Sequence, residues 1–160
     1  MITERPGAER LELTSVAVRA NLAALMGLVD QAVERERLGA EIASELRLAV
    51  EEVCVNVIDH GYPAGAPGPI RLAIDCDPDR VVVVVADEAV PFDPTHAPVP
   101  DLDAGLDERP IGGLGWHLIR QVMDEIEHEV SPAGGNVLKL VKYRNSTTRG
   151  TNGNRDQGNQ

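Results

Sequence analysis

Several residue groups combine chemistry-bearing side chains with spacings that bring them together. The first is Glu51, Glu52, Asn56, Asp59 and His60, in one stretch of helical periodicity. At about 100° per residue, Ile42, Leu46, Ala49, Val50, Val53 and Val57 fall on one face. Glu52 and Asn56 are four positions apart, so they stack on one side of the helix at the margin of that face. Glu51 points nearly opposite the core. Glu52 therefore lies where a cleft against a sheet can begin. The plainer account is an ordinary boundary carboxylate, since charged side chains are common at helix margins.

The second group is Ala86-Asp87-Glu88-Ala89-Val90-Pro91-Phe92-Asp93-Pro94, directly after the valine run Val81 to Val85. An acid at the end of a strand sits where ligands often bind in α/β sheets. Its carboxylate can accept hydrogen bonds from an exocyclic amine, or the Asp can simply form a turn. The third group is Gly112-Gly113-Leu114-Gly115, which opens a helix. Glycines let backbone N–H groups approach an anion, and a helix N-terminus adds partial positive charge. A phosphate there would gain about 0.3–2 kcal/mol from the helix dipole. The run matches neither G-x-G-x-x-G nor a P-loop, and close packing explains such a cluster equally well. Gly134-Gly135-Asn136-Val137-Leu138 is, taken alone, a turn into a strand.

These residues need elements to hold them. Leu11 and Leu13 alternate with polar neighbours, which predicts a short strand. Ser15 is placed to cap a helix running to about Leu38, broken by Gly39. A second helix is expected from about Glu41 to His60, stopped by Gly61-Tyr62-Pro63. Ile70, Leu72, Ile74 and Cys76 alternate with Arg71, Ala73 and Asp75, the mark of a strand with one buried face. Asp77-Pro78-Asp79 is a turn into the valine strand, which fits a central position in the sheet. Residues 88–110 hold five of the eleven prolines and show no periodicity. A loop of that length in a compact domain is usually a functional lid. After the glycine-opened helix, to about Met123, come strands near Glu125–Val130 and Val137–Lys142. Residues 1–9 read as a flexible start and 144–160 as a disordered tail.

Composition narrows the function classes. The chain has 160 residues, enough for one domain. Lys and Arg number 15 against 26 Asp and Glu, giving a net charge of −11. That field repels a phosphate backbone, so direct nucleic-acid binding is not expected. Aromatic residues are only 2%, too few for a base-stacking platform. Cys54 and Cys76 fall in apolar runs and read as reduced core thiols of a cytoplasmic protein. No segment approaches the ~18 apolar residues of a membrane span.

The order of the groups is more specific than any one of them. Helix Glu-x-x-x-Asn-x-x-x-His, strand-end Asp, long loop, Gly-Gly-x-Gly helix start and Gly-Gly-Asn strand start together resemble the GHKL (Bergerat-fold) ATPases. Glu52, Asn56 and His60 look like the N box of that superfamily. Asp87 to Phe92 resembles its first glycine box, Gly112 to Gly115 the second and Gly134 to Leu138 the third. The short chain, His60-Gly61-Tyr62-Pro63 and Pro91-Phe92-Asp93-Pro94 resemble the bacterial anti-sigma-factor serine kinases. The resemblance covers residues 10–143.

The resemblance implies an α/β two-layer sandwich, with a mixed β-sheet and helices on one face. It implies ATP held between sheet and lid, with magnesium bound by Asn56. Glu52 would be the catalytic base toward a serine hydroxyl of a protein substrate. Asp87 would recognise adenine, with Ala89 and Phe92 in the same box. Gly112, Gly113, Leu114 and Gly115 would meet phosphates, and Asn136 would complete the third box. Arg109 is the one basic residue of the lid, Phe92–Ile111, and is the candidate phosphate contact. The partners implied are an anti-anti-sigma protein as substrate, a sigma factor, and a second copy of the chain through the first strand and helix. Two positions depart from the pattern: Ala89 stands where the first box carries Gly, and Asn136 where the third often carries Thr. A positive φ at Ala89 would be strained. A non-catalytic module that binds ATP or ADP and holds a partner protein is the alternative function.

Overall fold

The computed structural model describes residues 9–94 and 113–145. The chain runs β1 (Leu11–Val16), α1 (Leu22–Arg35), α2 (Ala40–Asn56), β2 (Pro69–Cys76), β3 (Arg80–Asp87), α3 (Gly113–Val122), β4 (Glu125–Val130) and β5 (Asn136–Tyr143). The strands form one sheet in the order β1-β2-β3-β5-β4. The valine strand β3 is thus central, as its unbroken apolar run predicts. The helices cover one face, giving the expected two-layer α/β sandwich.

The sheet is antiparallel at all four pairings, not mixed. Connectivity explains the difference. Two helices separate β1 from β2, so the chain reverses direction three times between them and β2 returns antiparallel. One helix separates β3 from β4, which makes those two strands parallel. They are not neighbours, however, because β5 hairpins back and inserts between them.

The core lies between the sheet and the helices. Leu25 and Val29 of α1 meet Leu46, Ala49, Val50 and Val53 of α2, and both helices rest on Leu72, Ile74, Val83, Val85 and Leu140. Alternation puts Val81, Val83 and Val85 on the helix-facing side of β3, and Asp87 continues that row at the strand's end. Leu138 and Leu140 likewise put Asn136 on the helix-facing side of β5.

The first helix begins later than Ser15. Ser15 lies within β1, paired to Ile70, and a single 3-10 turn over Arg19–Asn21 precedes α1. Strand pairing satisfies its backbone, so no cap is needed there. The Asn21 amide instead donates to the Val16 carbonyl at 3.0 Å. The second helix ends its α-helical register at Asn56 and continues as a π turn over Val57–Gly61. The wider turn takes the exposed His60 off the row of Glu52 and Asn56.

One cation is buried among the apolar groups. Lys142, 1% exposed, donates to the Val122 carbonyl at the end of α3 and pairs with Glu45 of α2. It fastens α3 to the sheet and to α2. Arg144, at the head of the predicted tail, is also held. Its backbone N–H donates to Asp79 O, and its guanidinium to Asp77 O and Glu36 O.

Candidate active site

Asp87, Ala89, Phe92 and Asn136 form one hydrogen-bonded cluster at the end of β3. Asp87 Oδ1 accepts from the Ala89 N–H at 2.9 Å and from Asn136 Nδ2 at 2.9 Å. Asn136 Nδ2 also donates to Val90 O at 3.1 Å, while its Oδ1 accepts the Phe92 N–H at 2.9 Å. One buried amide therefore holds both the strand-end carboxylate and the loop that follows it. The backbone also fits tightly: a Cβ on Gly135 would lie 1.9 Å from Asp87 O. Only glycine permits β5 to start that close to β3.

Ala89 is not strained. Among the described residues the one non-glycine positive φ is at Arg37. Ala89 is 5% exposed, and its methyl lies 3.2 Å from where a Cβ on Gly61 would be. The methyl therefore fills space against the π turn. Tyr62 fixes the same loop from that side. Its hydroxyl donates to Pro69 O and accepts the Glu88 N–H at 2.8 Å. Burial, aided by the Asp87 and Glu88 charges, raises the phenol above its ordinary pKa and keeps it protonated.

Glu52 and Asn56 form a second cluster with the start of α3. A Cβ on Gly115 would lie 2.6 Å from Glu52 Oε2 and 3.7 Å from Asn56 Nδ2. The glycine lets α3 approach α2 so that both polar side chains border its first turn. Asn56 Nδ2 is buried and has no hydrogen-bond partner among the described residues. An orphan of this kind costs about 1–3 kcal/mol. An Asn amide can be turned over, which would present Oδ1, an acceptor, at the same place.

Two contacts join the clusters. Ala89 meets Gly61, which follows Asn56 in the π turn. Phe92 packs on Trp116, the residue after Gly115, with ring centroids 6.3 Å apart. Gly113 is the first residue of α3 and Leu114 the second. Arg109 and Gly112 lie outside the described residues, as does most of the lid. Its root is anchored: Arg120 of α3 donates to Pro94 O at 2.5 Å.

Residues 16–142 match the histidine kinase-like ATPase domain family. The chain belongs to that family. A serine-protein kinase, RsbW, of Bacillus licheniformis is 29% identical over 63% of this chain and 64% of its own length, so the chain spans just under two thirds of that relative. The serine/threonine-protein kinase BtrW of Bordetella bronchiseptica is 30% identical over 68% of this chain and 76% of its own. A crystal structure of the RsbU and RsbW domains of a Mycobacterium tuberculosis protein superposes with a TM-score of 0.59 at 16% identity. That superposition covers 83% of this chain and 32% of the other, and it shows the shared fold.

Within this ATPase fold, sequence reasoning missed Tyr62, Trp116, Arg120 and His128. Tyr62 stood in a quoted motif without a role. His128 carried no signal beyond a position facing the core on an alternating strand. No group of three or more His, Cys, Asp or Glu among the described residues could hold a metal ion. A cation bound here would take most of its ligands from elsewhere. No helix among them is long and apolar enough to cross a membrane.

Proposed function

We propose that residues 10–143 form an ATP-dependent serine kinase that phosphorylates a serine of an anti-anti-sigma protein and sequesters a sigma factor in the cytoplasm. The observation that carries this reading is the placement of Glu52 and Asn56 against Gly115 at the start of α3. A carboxylate and a hard-ligand amide there border a helix N-terminus suited to phosphate oxygens.

Magnesium fits the residues present. Turned over, the buried and unpartnered Asn56 amide offers one oxygen. Magnesium commonly takes only one or two protein ligands and the rest from phosphates and water. Bound there, it would neutralise phosphate charge that no Walker lysine supplies. Asn56 would be its ligand, and the N–H groups of Gly112, Gly113, Leu114 and Gly115, with Arg109 of the lid, would serve as the phosphate contacts.

Asp87 holds Oδ1 in place with two internal donors and turns Oδ2 to the amine of adenine. Ala89 and Phe92 shape that pocket, and Asn136 fixes its floor. Glu52 takes the proton of the serine hydroxyl as the serine oxygen bonds to the γ-phosphorus and the bond to ADP breaks. General-base action of this kind contributes about 10²–10⁴-fold. The kinase names of the two relatives support the same reading, and β1, an edge strand, with α1 is the surface offered for a second copy of the chain.

The test is transfer from γ-labelled ATP, with magnesium, to a small serine-bearing anti-anti-sigma protein, with Glu52→Ala alongside. Transfer that Glu52→Ala abolishes is the expected result. Tight nucleotide binding without transfer would instead establish the non-catalytic module. Absence of ATP and ADP binding would overturn both.

A further inference from the structure

His128 lies on β4, on the side facing the helices, and its side chain is 6% exposed. Its Nε2 is 2.8 Å from Asn136 Oδ1. The roles in that contact can be worked out. The Phe92 N–H can only donate, and it is bonded to the same Asn136 atom at 2.9 Å. That atom is therefore the oxygen, and His128 Nε2 must carry a proton. The other end of Asn136 then has two donors, which reach Asp87 Oδ1 and Val90 O. The amide's two donors and two acceptor sites are all used. The far side of the imidazole faces the lid root, with Nδ1 3.8 Å from Asp93 Oδ1. A chain of side chains therefore runs Asp93, His128, Asn136, Asp87, from the lid root to the strand-end carboxylate.

We infer that His128 is a positioning residue for base selectivity: by donating to Asn136 it completes the set of bonds that holds that amide in place, and so steadies the aim of Asp87. This rests on the reading of Asp87 as the adenine-recognising group. His128 reaches Asp87 only through Asn136, and nothing places it against substrate. Without the His128 donor, the Phe92 N–H and the Val90 carbonyl still set which way Asn136 faces, but one acceptor site of its oxygen is left unfilled and its hold on Asp87 Oδ1 loosens.

The experiment titrates the full chain with ADP and with inosine diphosphate, which replaces the exocyclic amine by a carbonyl oxygen. Calorimetry gives both affinities for the native protein, His128→Phe and His128→Gln. The native protein prefers ADP. In His128→Phe that preference falls about fivefold, the weight of one net hydrogen bond. In His128→Gln, whose amide can still donate, most of it returns. An unchanged preference in His128→Phe overturns the inference, as does equal weakening of both ligands, which marks a merely structural role. A native protein that does not distinguish the two ligands sinks the Asp87 reading itself, before any variant is compared. Should His128→Phe fail to fold, the ¹⁵N shifts of the native imidazole decide. A protonated Nε2 is required, and an Nε2 without a proton overturns the assignment.

Discussion

The two clusters of the site are built on opposite principles. Around Asp87, every hydrogen-bonding position of Asn136 is filled, and three strands meet with a backbone approach that excludes any side chain at Gly135. Around Glu52, an amide nitrogen is buried without a partner among the described residues, and a glycine lets the start of α3 come close. The first is finished before any ligand arrives. The second leaves the Asn56 amide nitrogen without a partner among the described residues, beside the Glu52 carboxylate and the glycine start of α3. Recognition of a rigid base benefits from the former, because a fixed carboxylate discriminates by leaving a wrong partner unpaired. Charge transfer to a phosphate benefits from the latter, because the missing partners arrive with the reactants.

The largest expected effect tests the open cluster. Glu52→Gln keeps the side chain's shape and removes its basicity. Phosphotransfer to a serine-bearing substrate should fall by about 10²–10⁴-fold. ADP affinity should stay within about twofold, since the lost basicity concerns the transition state and not ground-state binding. Equal loss of affinity and rate would mean that Glu52 is part of the binding frame, which would blur the contrast.

The next tests the finished cluster. Asp87→Asn can keep an oxygen toward Ala89 N–H and Asn136 Nδ2 but must turn an NH₂ group to the ligand. Two donors then face each other. ADP binding should weaken by roughly 5- to 150-fold, the range for a polar group left unsatisfied at about 1–3 kcal/mol. Thermal stability should change little, because the internal bonds survive. A large fall in Tm with intact ADP affinity would make Asp87 a structural residue.

A matched pair of glycine substitutions compares the clusters directly. In Gly135→Ala the new methyl meets backbone, the carbonyl of Asp87, which cannot move without opening the β3–β5 pairing. About 1–3 kcal/mol of stability should be lost, as for other overpacked sites. In Gly115→Ala the methyl meets the end of a flexible carboxylate, which can swing away. Stability should fall by less, while phosphotransfer falls because Glu52 has moved. Chemical denaturation and the transfer assay separate the two outcomes. Equal loss of stability in both variants would show the Glu52 cluster to be as rigid as the other.

How much of this was legible from sequence follows from which interactions are local. Glu52 and Asn56 share a helix face by spacing alone, and Asp87 ends a strand whose valines announce it. The sandwich and the central place of β3 follow the same way. The antiparallel sheet was not legible, because it depends on β5 inserting between β3 and β4. The π turn that removes His60 from the row was hidden too, since its residues fit an α-helical pattern equally well. His128 was invisible for a related reason. Its importance lies in a cross-strand contact eight positions away in sequence, and an isolated histidine on a strand has no periodic signature.

The smallest effect concerns the backbone beneath the open cluster. Cys54 lies on α2 between Glu52 and Asn56, and Cys76 ends β2 near the far turn. Burial, with the Glu51 charge beside it, pushes the Cys54 thiol up to about 12, and burial above all pushes Cys76 up to about 11. A raised pKa leaves less thiolate at any working pH, and the thiolate is the reacting form. Both thiols should therefore resist a disulfide reagent at pH 8 in the native protein. Cys76 should react first, because its thiol is raised less and is less deeply buried, which leaves more thiolate and better access. A Cys54 that reacts as fast as Cys76 would mean that α2 opens around Asn56. The open cluster would then be a mobile one. Slow Cys54 reaction, unchanged by ADP, means that the helix is already rigid and the open cluster waits in a fixed frame.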